Sequence, residues 1–339
     1  MKHLTKLWAA GAACLCSVVA GVAVNTDTPI ASLKASPEKN RQTKVVPKKF
    51  PGSNTTFNGA MVYNDLWGER KPDGSFMYPV TSGIYSIQAR EGGKVKEVQK
   101  ISDLAYMKSG LYLNGVYYVF TAEGQEGRTY MSQYSTSNWS RTSKQEIDFV
   151  NFPTDLTYDP VTKKTYGFFY NDETQYYDRF CSFSTYYGEA TDIGRGMDRD
   201  CCAIAANKDG EIYGIWGATG WLIKVNPKTG AYDQIGRLGV YPGDFARGYV
   251  NSLTFDDATG KLYWAANDDE GHSALYEVNT STGAATKVMD FENNASFAGI
   301  YALPYTVAGD APAEPTDISV TFSSMETTEA IVSFTAPLL

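Results

Sequence analysis

Histidine is almost missing from this 339-residue chain, which has only His3 and His272. Cysteine is sparse too, with five residues and no Cys-x-x-Cys pair. The two scarcities exclude a Cys/His metal site of the usual spacing, so no metal site is expected. They also leave little material for a nucleophile–histidine relay, because His272 stands alone in an acidic loop. Positive charge is not in excess. Thirty Lys and Arg face 38 Asp and Glu, giving a net charge of −8 and a pI of about 5.0. A general affinity for nucleic acid is thereby excluded. No Gly-rich loop follows a strand and opens a helix, so nucleotide binding has no support. Past residue 24 no long apolar run recurs, and no membrane span is expected in the mature chain.

The one long apolar run is at the start. Lys2, His3 and Lys6 precede an Ala/Gly-rich stretch from Leu7 to Val24, and Gly21-Val22-Ala23 offers small residues for a signal peptidase. Residues 1–24 read as an export signal, which places the protein outside the cell, at its surface or in the periplasm. A single membrane anchor is the alternative, weakened by the lack of a basic stop-transfer cluster. A lipoprotein built on Cys14 or Cys16 would want a Leu three residues earlier, and neither has one. Removal of the signal leaves Cys181, Cys201 and Cys202. In an oxidising compartment, Cys181 with Cys201 or Cys202 is expected to tie two neighbouring repeats, with one thiol left over. Residues 25–56 are a Lys/Pro/Ser/Asn-rich linker without apolar period, whose basic charge keeps it solvated or touches an acidic surface.

What the chain does have is repetition. LIKVNPKTGA at 222–231 returns as LYEVNTSTGA at 275–284, 53 residues on. The composition suits short strands and tight turns, with 24 Tyr and 31 Gly. Residues 57–307 resolve into units of four strands. One unit is 155–159, 164–170, 179–185 and 189–194; the next is 201–206, 211–216, 221–226 and 231–236; a third is 251–256, 261–266, 274–279 and 284–291. Tyr166, Tyr213 and Tyr263 occupy one register. A more divergent unit has strands at 110–114, 116–122, 129–135 and 145–150. The first unit (59–65, 83–89, 94–101) lacks its innermost strand, and the orphan strand 296–305 would fill that place. The fold class is therefore all-β: a β-propeller of about five blades with one-plus-three strand closure. Six blades is the alternative if the 64–82 loop hides strands.

After a Pro/Ala linker at 308–316, residues 317–322 and 329–337 alternate apolar and polar. With Phe334-Thr-Ala-Pro337 ending the second, they resemble the opening strands of a fibronectin type III domain, truncated at residue 339. The unit A-x-N-x-D-G-x-I-Y-G followed by V-N-x-x-T-G-A and Ile-Gly resembles secreted bacterial propellers of the YVTN/NHL and quinoprotein-like kind. The repeated Trp-Asp and Gly-Gly pairs of WD40 and kelch blades are absent. A propeller leading into fibronectin-like modules is similar to exported surface proteins of Bacteroidetes. That resemblance implies a surface-binding role without naming a ligand.

In such a fold the second-to-third loops and the blade-to-blade loops share one face, where binding is expected. Those loops carry Trp67, Arg70, Tyr176, Tyr177, Arg199, Trp221, Tyr241, Phe245, Arg247 and Asp268. Aromatics beside carboxylates and guanidiniums suit a polysaccharide or an extracellular protein. Trp216 and Trp264, at second-strand positions, read as packing between blades. A glycan-active hydrolase or lyase would need two placed carboxylates, and Asp155, Asp200 and Asp244 at blade starts are the candidates. The same acids could cap turns. The loops 171–178 and 267–272 are oxygen-rich enough for Ca²⁺ but match no calcium-loop pattern, and read as solvated hairpins. No cofactor is expected.

Overall fold

Twenty strands of the computed structural model form five four-stranded antiparallel sheets, one per repeat. It describes residues 55–62, 81–123, 127–194, 199–243, 250–303, 316–322 and 330–335. The expected signal peptide and the linker up to residue 54 lie outside the described residues. Blade 1 is β1 (Thr56–Val62), β2 (Gly83–Gln88) and β3 (Val95–Lys100). Blade 2 is β4 (Met107–Leu113), β5 (Val116–Glu123), β6 (Arg128–Ser135) and β7 (Arg141–Ile147). Blade 3 is β8 (Pro153–Asp159), β9 (Lys164–Phe169), β10 (Arg179–Ser184) and β11 (Glu189–Gly194). Blade 4 is β12 (Cys201–Ala206), β13 (Ile212–Trp216), β14 (Trp221–Val225) and β15 (Tyr232–Arg237). Blade 5 is β16 (Ser252–Asp256), β17 (Lys261–Asn267), β18 (Ser273–Val278) and β19 (Ala285–Asp290).

The next strand, β20 (Ser296–Ala302), pairs antiparallel with β1, so the sheet order of blade 1 is β20-β1-β2-β3. Strands β4, β8, β12, β16 and β20 then touch in a closed ring, β20 meeting both β16 and β4. A sixth blade would have to break that ring, so the propeller has five. The fourth strand of blade 2 ends earlier than expected, at Ile147, because Phe149–Asn151 forms a 3₁₀ turn that leads into β8. Two further strands, β21 (Thr316–Phe322) and β22 (Ala330–Thr335), pair antiparallel with each other.

The repeated residues are turn chemistry. Between first and second strands, Asp159 accepts from the Val161 N–H (2.8 Å) and the Thr162 hydroxyl (2.6 Å). Asp256 does the same with Ala258 N–H (3.1 Å) and the Thr259 hydroxyl (2.7 Å), and Asn207 with the Asp209 and Glu211 N–H groups. These are Asx turns, which satisfy the backbone where the strand reverses. Between third and fourth strands, Asn226 and Asn279 play that part for Lys228 and for Ser281 and Thr282. Each such turn closes on a glycine, Gly230 or Gly283, at φ of +71° or +79°. These glycines also pack on a glycine at or next to the end of the preceding blade's fourth strand. A Cβ on Gly230 would lie 2.8 Å from the Gly194 Cα, and one on Gly283 2.7 Å from the Gly236 Cα. The recurrent Thr-Gly-Ala and Ile-Gly therefore meet across two boundaries, between blades 3 and 4 and between blades 4 and 5.

Apolar side chains form five clusters, one per blade boundary. The tyrosines in register each face the following blade: Tyr213 lies 5.6 Å from Phe255 and Tyr263 4.8 Å from Phe57, ring to ring. Trp264 is wholly buried and donates to the Asn251 Oδ1 (3.0 Å), as packing between blades requires. The expected disulfide does not form, and all three cysteines are free thiols. Strand alternation explains why. Cys181 faces blade 2, Cys201 faces blade 3 and Cys202 faces blade 5, so each thiol belongs to a different cluster. Burial pushes all three thiols up.

Candidate functional site

The inner strands are edge strands, and their axial N–H and C=O groups have no sheet partner. Side chains from adjacent blades fill the gap. Asp155 Oδ2 accepts from the Ile204 N–H (3.2 Å) and the Leu253 N–H (3.0 Å), joining β8 to β12 and β16. Thr154 donates to the Cys201 carbonyl (2.7 Å), Thr157 accepts from the Ala206 N–H (2.8 Å), and Ser252 accepts from the Ile300 N–H (3.0 Å). Asp155 is 1% exposed. Burial pushes its carboxyl well above the ordinary carboxylate range, and the N–H groups of Leu253, Ile204 and Leu156 pull it part of the way back. The axis is thus closed at its middle by a carboxylate that solvent does not reach.

Below this seal is a cavity of about 360 Å³. It is lined by the C-terminal halves of all five inner strands, including Tyr112, Tyr158, Phe255 and Tyr301, with Asp256 and Asp257 among its lining residues. It opens at the end where first strands turn into second strands. That is the turn face, opposite the loop face where binding was expected, and no candidate residue lines it. Asp256 is occupied by its own turn and by the Thr55 hydroxyl (2.6 Å). Thr55 and Leu303, where the chain enters and leaves the propeller, also lie at this end, joined by the Leu303 N–H bond to the Thr56 carbonyl (2.9 Å).

The loop face brings the described candidates into two groups. In the first, Trp221 opens β14 and pairs across the sheet with Arg237, the last residue of β15. The Arg237 guanidinium lies over the Trp221 ring, 5.3 Å from its centre, and an Nη1 proton points to the Tyr241 hydroxyl at 3.5 Å. Tyr241 is 51% exposed. Asp268 joins through a bridge between its backbone and that of Pro242. Its carboxylate is engaged by the Glu270 and His272 N–H groups (3.0 and 2.7 Å) and the His272 ring (3.2 Å). In the second group, the Arg199 guanidinium sits 5.9 Å over the half-buried Tyr176 ring. Asp200 accepts from the Tyr177 N–H (2.6 Å). Tyr177 itself does not face a ligand: it is buried against Tyr170 and Phe149. Trp67, Arg70, Asp244, Phe245 and Arg247 lie outside the described residues.

Two residues escaped the sequence reading. Arg237 follows the Ile-Gly that ends a fourth strand and looks like part of the repeat. Lys108 is the second residue of β4, at the loop-face end of the inner ring, where the register with β5 skips it. It is half-buried, and burial lowers its ammonium to about 8. The available signal was a basic residue inside an inner strand, which no other inner strand has.

No group of three His, Cys, Asp or Glu is placed to hold a metal among the described residues. In the 171–178 loop, Asn171 and Thr174 both donate to Asp178 Oδ1, so its oxygens turn inward to the loop. No described helix is long and apolar enough to cross a membrane.

The sequence matches no protein-family model and no curated protein. Several solved structures share its general shape. A protein of unknown function from Bacteroides caccae is 11% identical, covering 75% of this chain and 100% of that one, with a TM-score of 0.44. The nidogen/laminin complex gives 9% identity, 73% and 97% coverage, and a TM-score of 0.43. A structural genomics protein of unknown function from Bacteroides thetaiotaomicron gives 14% identity over 53% of this chain, with a TM-score of 0.38. This chain spans 43% of that protein's length. At these identities and TM-scores the likeness is one of general fold alone.

Proposed function

We propose that the chain is an exported, non-catalytic propeller that binds carbohydrate or protein through loops on one face, at the cell surface or in the surrounding medium. The observation that carries this reading is the ledge of Trp221, Arg237 and Tyr241. It offers an exposed ring beside a stacked guanidinium, a pairing that supplies both an apolar face and directed donors. The described residues at which the chain enters and leaves the propeller, Thr55 and Leu303, lie at the opposite face. In this reading β21 and β22 begin a fibronectin-like module, and the propeller also serves as a scaffold that presents the ledge. The two described candidate acids have structural work: Asp155 ties three inner strands and Asp200 holds Tyr177.

A glycan array and a panel of extracellular proteins, probed with the full chain, test the proposal. Trp221→Ala and Tyr241→Ala should each abolish the strongest signal while leaving the melting temperature within a few degrees. Silence on both panels, together with turnover of any polysaccharide, would overturn it in favour of the hydrolase or lyase reading.

A further inference from the structure

Pairing is the habit of this protein's arginines. Arg128, Arg141 and Arg179 meet Glu146, Asp103 and Asp192, at 4.0, 2.7 and 3.5 Å. Arg90 bonds the Gln88 side chain. The two remaining described arginines, Arg199 and Arg237, have no carboxylate partner among the described residues, although the chain carries a net charge of −8. Both lie on the loop face, and both are stacked on an aromatic ring. A stacked guanidinium keeps its in-plane N–H fork available, the geometry that takes a carboxylate through two parallel bonds.

Lys108 adds a third cation to the same face. Exposed lysines without partners are ordinary, but this one is half-buried at the start of an inner strand, with no described carboxylate beside it. An unneutralised ammonium in that position lowers stability, and nothing described in the fold offsets it. The three cations lie at the same face. Lys108 is on the inner ring, Arg199 stands two residues before inner strand β12, and Arg237 ends outer strand β15 of the same blade. Inner and outer strands of a four-stranded blade are three spacings apart, roughly 14 Å at about 4.8 Å each. That reach asks for an extended ligand with repeated negative charge. The exposed Tyr241 ring beside Arg237 favours flat apolar faces between the charges, as sugar rings supply.

We propose that the loop face takes an acidic polysaccharide, a uronate-type chain whose carboxylates are received by Arg237, Arg199 and Lys108. This rests on the binding reading above and narrows it to one substrate class. The full chain should bind immobilised polygalacturonate at least tenfold tighter than its methyl ester, which has the same rings without the charge. Oligogalacturonates long enough to span the three cations should bind tighter than galacturonic acid. Raising salt should weaken binding to the acid form and leave the ester unaffected. Arg237→Gln and Arg199→Gln, both exposed substitutions checked by thermal melting, should each lose about tenfold for the acid form with the ester unchanged. Lys108→Met should lose acid binding while remaining folded. Equal binding of acid and ester, or no binding of either, overturns the assignment. Polyglutamate binding as tightly as polygalacturonate overturns it in favour of an acidic protein partner. The array and protein panel judge the broader binding reading separately, since a neutral glycan retained by Arg237→Gln would sink only the acidic class.

Discussion

Lys108→Met should make the protein more stable at neutral pH. Burial lowers the Lys108 ammonium from 10.5 to about 8. At about 1.4 kcal/mol per tenfold change in proton affinity, that corresponds to roughly 3 kcal/mol of disfavour for the charged form. Water reaching the half-buried amine screens part of it, so the expected gain is about 1–3 kcal/mol. The sign follows from proton linkage. Below pH 8 the folded and unfolded chains both hold the proton, and the folded state bears the whole disfavour. Between pH 8 and 10.5 the folded chain has released its proton and the unfolded chain has not, so wild-type stability rises toward that of the variant. Above 10.5 both are neutral and the difference vanishes. Urea unfolding of the two proteins at pH 7 and at pH 10.5 reads this directly. In a thermal melt the gain at pH 7 should appear at about 2–4 °C per kcal/mol for a domain of this size. A variant no more stable than wild type at pH 7 would show that the native state satisfies the ammonium. An advantage that persists unchanged at pH 10.5 would assign the effect to methionine packing. Either result refutes the reasoning.

Gly283→Ala should cost at least about 1–3 kcal/mol more than Gly260→Ala. Both glycines have positive φ, +79° and +69°, but a Cβ on Gly283 falls 2.4 Å from the Gly236 carbonyl oxygen, whereas none of the atoms around Gly260 comes within 4 Å; equal losses in urea unfolding would refute the blade-boundary contact. Asp155→Ala should cost about 2–6 kcal/mol, because it leaves the Ile204 and Leu253 N–H groups buried without their acceptor, at about 1–3 kcal/mol each; a loss below about 1 kcal/mol would show that water replaces the carboxylate. A thiol reagent should label none of Cys181, Cys201 and Cys202 in the native protein and all three after unfolding without reductant; a single reactive thiol after unfolding would reveal a disulfide.

The parts of the fold legible in the sequence are those whose chemistry is local. Asp159, Asn207, Asn226 and Asn279 each bond to backbone two to four residues on, so the turn they make is written within a few letters. The contacts that misled or escaped the reading are set by the face a side chain takes, which depends on register. Cys181 and Cys201 look like partners along the chain, but alternation sends them to different blade boundaries. Tyr177 stands in a loop and reads as exposed, but it closes the boundary between blades 2 and 3. Arg237 reads as the tail of a repeated Ile-Gly, and only the pairing of β14 with β15 brings it over Trp221. Lys108 is the sharpest case. A repeat whose inner strands read PTDLTYD, CCAIAA, SLTFD and SFAGIYA has no structural use for a lysine there, and the register steps around it. Asp155 is also carried by one copy alone, but it ties three inner strands; Lys108 has no described carboxylate beside it, so its half-buried charge is better explained by a ligand than by the architecture.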